Sequence, residues 1–156
     1  MTRMVLAVLL PLAASCASAA AGPPEIVVDR TACSHCGMLI SEPVYAAAFE
    51  SAGSGGRTFD DIGCLVSAMA RESRSGLQHP WLPPSGGRLW VHDLSSGEWI
   101  DGSAAAFVKS PAIKTPMAGG IVAFRDPSAA ARAASAHRGV VVTSFAELIA
   151  HKGDVP

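Results

Sequence analysis

A proline- and glycine-rich segment, Gly76–Gly87 (GLQHPWLPPSGG), interrupts the chain near its middle. It contains three prolines and three glycines, residue types that disfavour helix interiors and central strands. Regular structure is therefore predicted on either side of it, in halves of about 25–75 and 88–156. Because each half is short, we predict either two small similar halves or one domain assembled from two such units.

The first half has the pattern of two strands followed by a helix. Val44–Ser51 and Arg57–Phe59 lie on either side of a Gly- and Ser-rich loop and are predicted to form a hairpin. Asp60 or Asp61 is then predicted to cap a helix that runs to about Glu72. Four apolar side chains recur along that helix at helical spacing: Ile62, Leu65, Val66 and Met69.

The second half repeats this order. Strands are predicted at Arg88–Leu94, Glu98–Asp101, Gly119–Arg125 and Gly139–Val142, and helices at Pro127–His137 and from about Ser144. One further strand, Glu25–Asp29, is predicted ahead of the first hairpin. Strands joined by short turns pair antiparallel. The predicted fold class is therefore α+β, with two small β-β-α-type units and antiparallel sheets.

Residues 1–21 have the composition of a secretory signal peptide. Arg3 is followed by an almost wholly apolar run, Val5–Ala14, and then by small residues. A membrane-spanning helix needs about 20 apolar residues, so we predict export without a transmembrane helix. Cleavage is expected either before Cys16, where Ala-Ala-Ser-Cys resembles a lipoprotein signal, or after Ala21. Lipidation of Cys16 would hold a periplasmic protein on a membrane surface.

The cysteines of the folded part are odd in number. Cys16 is either lipidated or removed, which leaves Cys33, Cys36 and Cys64. Exported proteins normally pair their cysteines in disulfides. At least one of these three thiols is therefore expected to be free, bonded outside the chain or bound to a metal.

The most specific motif is Cys33-Ser34-His35-Cys36-Gly37-Met38. Two cysteines at this spacing can direct both sulfurs at one point, and Gly37 permits the tight turn behind them. Met38 brings a thioether to the same loop. Thiolates and thioethers are soft donors that select Cu(I) over hard ions, so the motif predicts a Cu(I) site.

Three more residues are candidates for this site. Cys64 falls in the first turn of the predicted helix, where free backbone N–H groups lower a thiol pKa; a small buried apolar role is the competing interpretation. Met117 lies between Pro116 and a Gly-Gly pair, and is either exposed for binding or part of the core. His35 lies between the two cysteines, and either binds the metal or points away.

Three different kinds of site remain compatible with the same cysteines. A structural zinc site needs four ligands, and a second Cys pair is missing, although a His could complete Cys33, Cys36 and Cys64. The Cys33–Cys36 spacing also suits a thiol-redox pair or a plain disulfide. No catalytic motif occurs, so no enzymatic activity is predicted. A net charge of -1 without a basic run argues against nucleic acid as a partner.

Together these motifs resemble the NosL family, the copper chaperones of nitrous oxide reductase maturation. The matching pieces are the lipoprotein-like Cys16, the Cys33–Met38 motif, Phe59–Cys64 (FDDIGC), Trp90–Asp93 (WVHD) and Thr115–Met117 (TPM). They stand in the family's order and cover most of the mature chain. The resemblance is therefore to the whole protein and not to one short motif.

The resemblance implies a periplasmic, lipid-anchored Cu(I) carrier without catalytic activity. Its implied partners are the nitrous oxide reductase apoprotein and an ABC-type membrane complex. Its implied fold has two small β-β-α-type halves and is similar to part of organomercurial lyase. Carried over by motif, the implied copper ligands are Cys33, Cys36, Met38 and Met117, and release to the acceptor is expected to proceed by ligand exchange.

Overall fold

The computed structural model describes residues 22–51, 55–74 and 87–150. The predicted signal peptide with Cys16, and all of the Gly76–Gly87 segment except Gly87, lie outside the described residues. None of the helices in the described ranges combines the length and apolar character needed to cross a membrane.

Two small antiparallel sheets form the framework. The first has the order β2-β1-β3-β4 and consists of β1 (Ala47–Ser51), β2 (Gly55–Phe59), β3 (Arg88–His92) and β4 (Trp99–Asp101). The second has the order β6-β5-β7 and consists of β5 (Ala106–Lys109), β6 (Ile121–Phe124) and β7 (Val140–Val142). The α+β class with antiparallel sheets is confirmed.

The described ranges also contain three helices and one short 3₁₀ turn: α1 (Ile62–Arg74), α2 (Pro127–His137), α3 (Phe145–Ala150) and the turn Pro43–Tyr45. The predicted apolar face of α1 is buried, with Ile62, Leu65, Val66 and Met69 each no more than 2% exposed. Helix α2 is capped by Asp126, whose side chain accepts from the backbone N–H of Ser128, and Pro127 occupies its first turn. These helices therefore form where local sequence predicts them.

The sheets do not divide where the Gly76–Gly87 segment does. Strands β3 and β4 follow that segment, yet β3 pairs with β1 from before it. Because Ala47, Ala48 and Phe49 of β1 are buried, the backbone groups along both edges of β1 need hydrogen-bond partners. Strand β2 pairs with one edge of β1, and β3 pairs with the other. The boundary between the two sheets accordingly falls after Asp101.

One predicted strand is absent from the structure, and one observed strand was not predicted. Glu25–Asp29 is not a strand: the backbone N–H groups of Arg30 and Thr31 both bond to the Val27 carbonyl, and Asp29 has a φ of 59°. The Thr31 hydroxyl accepts from the Val27 N–H and fixes this turn. Strand β5 was not predicted, because its short apolar sequence (AFVK) shows no alternation between a buried and an exposed face.

Candidate metal centre

The Cys33–Met38 motif forms a tight reversing loop. The N–H of Cys33 donates to the Met38 carbonyl at 2.8 Å, and the N–H of Gly37 donates to the Cys33 carbonyl at 2.9 Å. Gly37 has a φ of 78°, in the left-handed region that glycine adopts without a steric penalty. The predicted role of Gly37 in the turn behind the two cysteines is thus confirmed.

The first sheet positions this loop. The Ser34 N–H donates to the Thr58 carbonyl at 2.8 Å, and the Thr58 hydroxyl donates to the Ala32 carbonyl at 3.1 Å. Thr58 lies near the end of β2, two residues before the turn into α1. Cys33 is consequently held beside the first turn of that helix, where Cys64 lies.

Asp61 caps α1 and fixes Cys64 at its N-terminus. The Asp61 Oδ1 accepts from the Cys64 N–H at 2.7 Å, the bond expected from an N-cap residue to the third residue of a helix. Of the two predicted caps, Asp61 is therefore the one used. Asp60 is instead buried with its Oδ1 unpartnered, and burial together with the neighbouring Cys33 charge raises the pKa of its carboxyl group.

Among the described residues, the three cysteine sulfurs lie within 4.8 Å of one another and form a cluster with the spacing needed to hold a metal ion. Cys33 and Cys64 are buried in the apolar core, whereas Cys36 is exposed. Two buried sulfurs and one exposed sulfur make a site that is closed on the protein side and open to solvent on the other.

The electrostatics of the cluster favour one thiolate. A hydrogen bond from the Cys64 thiol is the largest influence on Cys33; it outweighs burial and, with backbone bonds from Cys36, Asp60 and His35, lowers the pKa of Cys33 to about 4. The same hydrogen bond, followed by burial, raises the pKa of Cys64. The hydrogen bond therefore favours a thiolate at Cys33, with the Cys64 thiol as its donor.

A second loop brings Met117 to the cluster. The Asp61 Oδ2 accepts from the Thr115 hydroxyl at 2.6 Å, and from the N–H groups of Met117 and Gly119 at 3.3 Å each. Met117 is half-buried against the same apolar core that contains Cys33. The loop of the second half thus lies directly beside the first turn of α1.

An open pocket of about 460 Å³ lies at this junction. Its lining includes Cys36, Cys64 and Met117, together with His35 and Lys109. Of the residues predicted for the site, the structure therefore gathers Cys33, Cys36 and Cys64 as a cluster, with His35 and Met117 on the adjoining pocket. Met38 is 55% exposed and lies outside the lining of this pocket.

Several residues of the centre were not predicted as part of it. Thr115 and Gly119 donate hydrogen bonds to Asp61, and Lys109 is one of the residues of the pocket lining. The sequence offered one signal, the conjunction of an Asp-Asp cap with a Thr-Pro-Met-Ala-Gly-Gly loop. Nothing in their spacing showed that the two segments meet.

Comparisons with known proteins agree with this architecture. The crystal structure of the copper chaperone NosL from Shewanella denitrificans aligns with a TM-score of 0.58 at 20% sequence identity, covering 81% of this chain and 94% of that chain. At that identity the likeness is one of fold. No curated protein matches the chain significantly. The sequence profile of NosL matches residues 24–152, and because this range is most of the chain, the protein belongs to the NosL family.

Proposed function

We propose that this protein binds one Cu(I) ion at Cys33, Cys36 and Cys64 and delivers it to an acceptor protein by ligand exchange. The observation that carries the proposal is the approach of three sulfurs to within 4.8 Å, with one sulfur exposed. Thiolate donors select Cu(I) and zinc over hard ions, and of these two Cu(I) is the ion that is stable with only two or three ligands.

Zinc fits the site less well. A structural zinc site is closed by four ligands, whereas the group in the described part of the chain has three members. The core around Cys33 and Cys64 is also continuous and apolar, with Phe59, Leu65 and Val91 fully buried. Such a core does not need a metal to hold its elements together.

The open side of the centre suits transfer. Cys36 is exposed at the pocket, so an acceptor's thiolate, imidazole or thioether can reach a bound ion from solvent. Met117 on the pocket lining, and Met38 on the exposed loop, are then weak ligands that leave as the acceptor's donor joins. Exchange through a shared intermediate keeps Cu(I) coordinated throughout, so that the free ion is never released.

Family membership supports a proposal for the acceptor and for the location. We propose the nitrous oxide reductase apoprotein as the acceptor, with an ABC-type membrane complex as a further partner. The protein is proposed to work in the periplasm, lipid-anchored through Cys16, as a carrier and not as an enzyme. A thiol-redox role for Cys33 and Cys36 is the second candidate, favoured by the lowered pKa of Cys33 and the nearness of the two sulfurs.

The test is a competitive titration of the reduced, anaerobic mature protein with Cu(I) against a chromophoric chelator, with Zn(II) in parallel. One Cu(I) should bind tightly, and Cys33→Ser, Cys36→Ser and Met117→Leu should each bind it more weakly. Met69→Leu is the matched control, since Met69 is buried in α1 away from the pocket lining. Tighter binding of Zn(II) than of Cu(I) would overturn the proposal.

Delivery requires a second measurement. In one arrangement, a dialysis membrane that passes small copper complexes but not protein separates the Cu(I)-loaded protein from apo nitrous oxide reductase. In the other, the two proteins share one compartment. Rapid loading only on direct contact supports ligand exchange between the two proteins. Equal loading in both arrangements would show release into solution and would contradict the proposed mechanism.

A further inference from the structure

We infer that Asp61 is the positioning residue that brings Met117 into the metal site. The inference rests on the proposed Cu(I)-binding function and adds to it the device that joins the two sequence segments of the site. One carboxylate serves both: its Oδ1 holds the N-terminus of α1 through Cys64, and its Oδ2 holds the Met117 loop.

The bonds to the loop are numerous and buried. The Oδ2 of Asp61 accepts from the hydroxyl of Thr115 and from the N–H groups of Met117 and Gly119. Asp61 itself is fully buried, and the Thr115 hydroxyl accepts in turn from the Gly120 N–H at 3.2 Å. A buried carboxylate that accepts several hydrogen bonds fixes the groups around it, because losing any one bond leaves a desolvated donor.

The loop needs this external acceptor to keep its shape. Ala118 has a φ of 55°, a left-handed conformation that is unfavourable for alanine because its Cβ crowds the backbone. Within the loop, the turn has one backbone bond, from the Ala118 N–H to the Thr115 carbonyl at 2.9 Å. The hydrogen bonds to Asp61 therefore offset the unfavourable backbone conformation of Ala118 and hold the loop with Met117 on the pocket lining.

An Asp61→Asn substitution separates the two functions of the carboxylate. The side-chain amide keeps one acceptor oxygen, which can cap Cys64, but it places an NH₂ group against three donors of the loop. Thr115→Val removes the shortest of the loop bonds and leaves the helix cap intact. Both variants should free Met117 while the three cysteines remain in place.

Asp93→Asn is the matched control. Asp93 is likewise buried, and its carboxylate accepts from the backbone N–H groups of Ser95 and Arg125 and from the Ser96 hydroxyl. It does not line the pocket. This substitution should lower stability through comparable lost bonds without altering how Met117 meets the metal.

The experiment follows the ¹³C-labelled methyl groups of methionine by NMR while one equivalent of Cu(I) is added to the reduced mature protein. Copper–thiolate absorbance is recorded on the same samples. In the parent and in Asp93→Asn, the Met117 methyl resonance, assigned with Met117→Leu, should shift. In Asp61→Asn and Thr115→Val the thiolate absorbance should persist while the shift falls by more than half.

Affinities provide the second readout. Asp61→Asn should weaken Cu(I) binding by about 10-fold, the low end of what removal of a residue that orients a metal ligand costs. Because it acts through Met117, the double variant Asp61→Asn/Met117→Leu should bind no more weakly than Met117→Leu alone. A full methyl shift in both Asp61→Asn and Thr115→Val, or additive losses in the double variant, overturns the inference.

The parent separates this inference from the proposed function. If the parent shows copper–thiolate absorbance but no Met117 shift, Cu(I) binding stands and the positioning role of Asp61 is overturned. If the parent shows no copper–thiolate absorbance, the proposed function fails and the inference fails with it.

Discussion

Gly63, in the first turn of α1, lies with its backbone directly against the backbone of Gly119. A Cβ on Gly63 would come within 2.6 Å of the Gly119 Cα, and a Cβ on Gly119 within 2.8 Å of the Gly63 Cα. The close approach lets the Met117 loop reach Asp61, so side-chain volume at either position would separate the two segments of the metal centre.

Gly63→Ala should lower the free energy of unfolding by about 1–3 kcal/mol, the usual range for overpacking at a contact that cannot relax. The atoms in the way are backbone, which cannot rotate aside. Urea denaturation of the apo protein measures the change. Gly56→Ala is the control, because nothing lies within 4 Å of a Cβ there and it should leave the midpoint nearly unchanged. Equal midpoints for the two variants would contradict the packing explanation.

Replacement of Cys64 should change the acidity of Cys33. The hydrogen bond from Cys64 is the first cause of the lowered Cys33 pKa, so Cys64→Ala should raise that pKa towards its ordinary value. Cys64→Ser keeps a donor at the same place and should keep the pKa low. The ultraviolet absorbance of the thiolate against pH, in a Cys36→Ser background, reports the midpoint. A low titration midpoint for Cys33 in both Cys64→Ala and Cys64→Ser would show that backbone groups alone stabilise the Cys33 thiolate.

The pH dependence of stability follows from the same pKa. The pKa of Cys33 falls from 9.0 to about 4 on folding, so the unfolded chain binds the proton more readily between these values. The stabilising effect of the thiolate is therefore full above pH 9.0 and is lost as the pH falls towards about 4. The difference in unfolding free energy between the parent and Cys33→Ala should accordingly shrink as the pH is lowered through this window. A difference that is constant with pH would mean that Cys33 is a thiol in the folded protein.

The elements set by local sequence were predicted well. Helix α2 has its bounds where Asp126, Pro127 and His137 indicate, because a cap, a proline in the first turn and a terminal basic residue all act within the helix. The buried face of α1 likewise follows from its own spacing. Strand β5 was not predicted, because it is defined by its distant neighbours β6 and β7. Glu25–Asp29 was wrongly predicted as a strand, because a local bond to the Thr31 hydroxyl and a bond from the Asp29 N–H to the Ile40 carbonyl hold it as a turn.

The candidate metal centre likewise has parts that local sequence predicts and parts that depend on distant segments. Cys33 and Cys36 could be placed together because their spacing brings both sulfurs to one loop. The approach of Cys64 depends on β2 leading into α1 beside that loop, and the approach of Met117 depends on Asp61. The sequence identified Asp61 as a helix cap, but an N-cap uses one carboxylate oxygen, and nothing local predicts what the other oxygen binds.

Removal of metal should leave the fold intact. The core that contains Cys33 and Cys64 is built mainly from apolar side chains of both sheets and α1, and burial of that area is what stabilises a domain. The apo protein in excess chelator should therefore show a cooperative thermal transition, and Cu(I) should raise its midpoint through binding to the native state. An unfolded apo protein would indicate a structural metal site of the zinc type.

Oxidation should compete with copper for the same sulfurs. Cys36 is the exposed thiol, so a small disulfide oxidant forms a mixed disulfide there with loss of one thiol of the reagent. The Cys33 thiolate, among sulfurs within 4.8 Å, then displaces the second thiol and closes a Cys33–Cys36 bond. Cys33→Ser should form an internal bond more slowly, because without the hydrogen bond to Cys33 burial still raises the pKa of the remaining neighbouring thiol, Cys64. Cys64→Ser should instead proceed readily to the Cys33–Cys36 bond. Mass spectrometry distinguishes the mixed disulfide from the internal disulfide.

Cu(I) bound beforehand should slow both steps of this oxidation, because the sulfurs that would attack are then held by the metal. Oxidation at the same rate with and without Cu(I) would contradict coordination by Cys33 and Cys36.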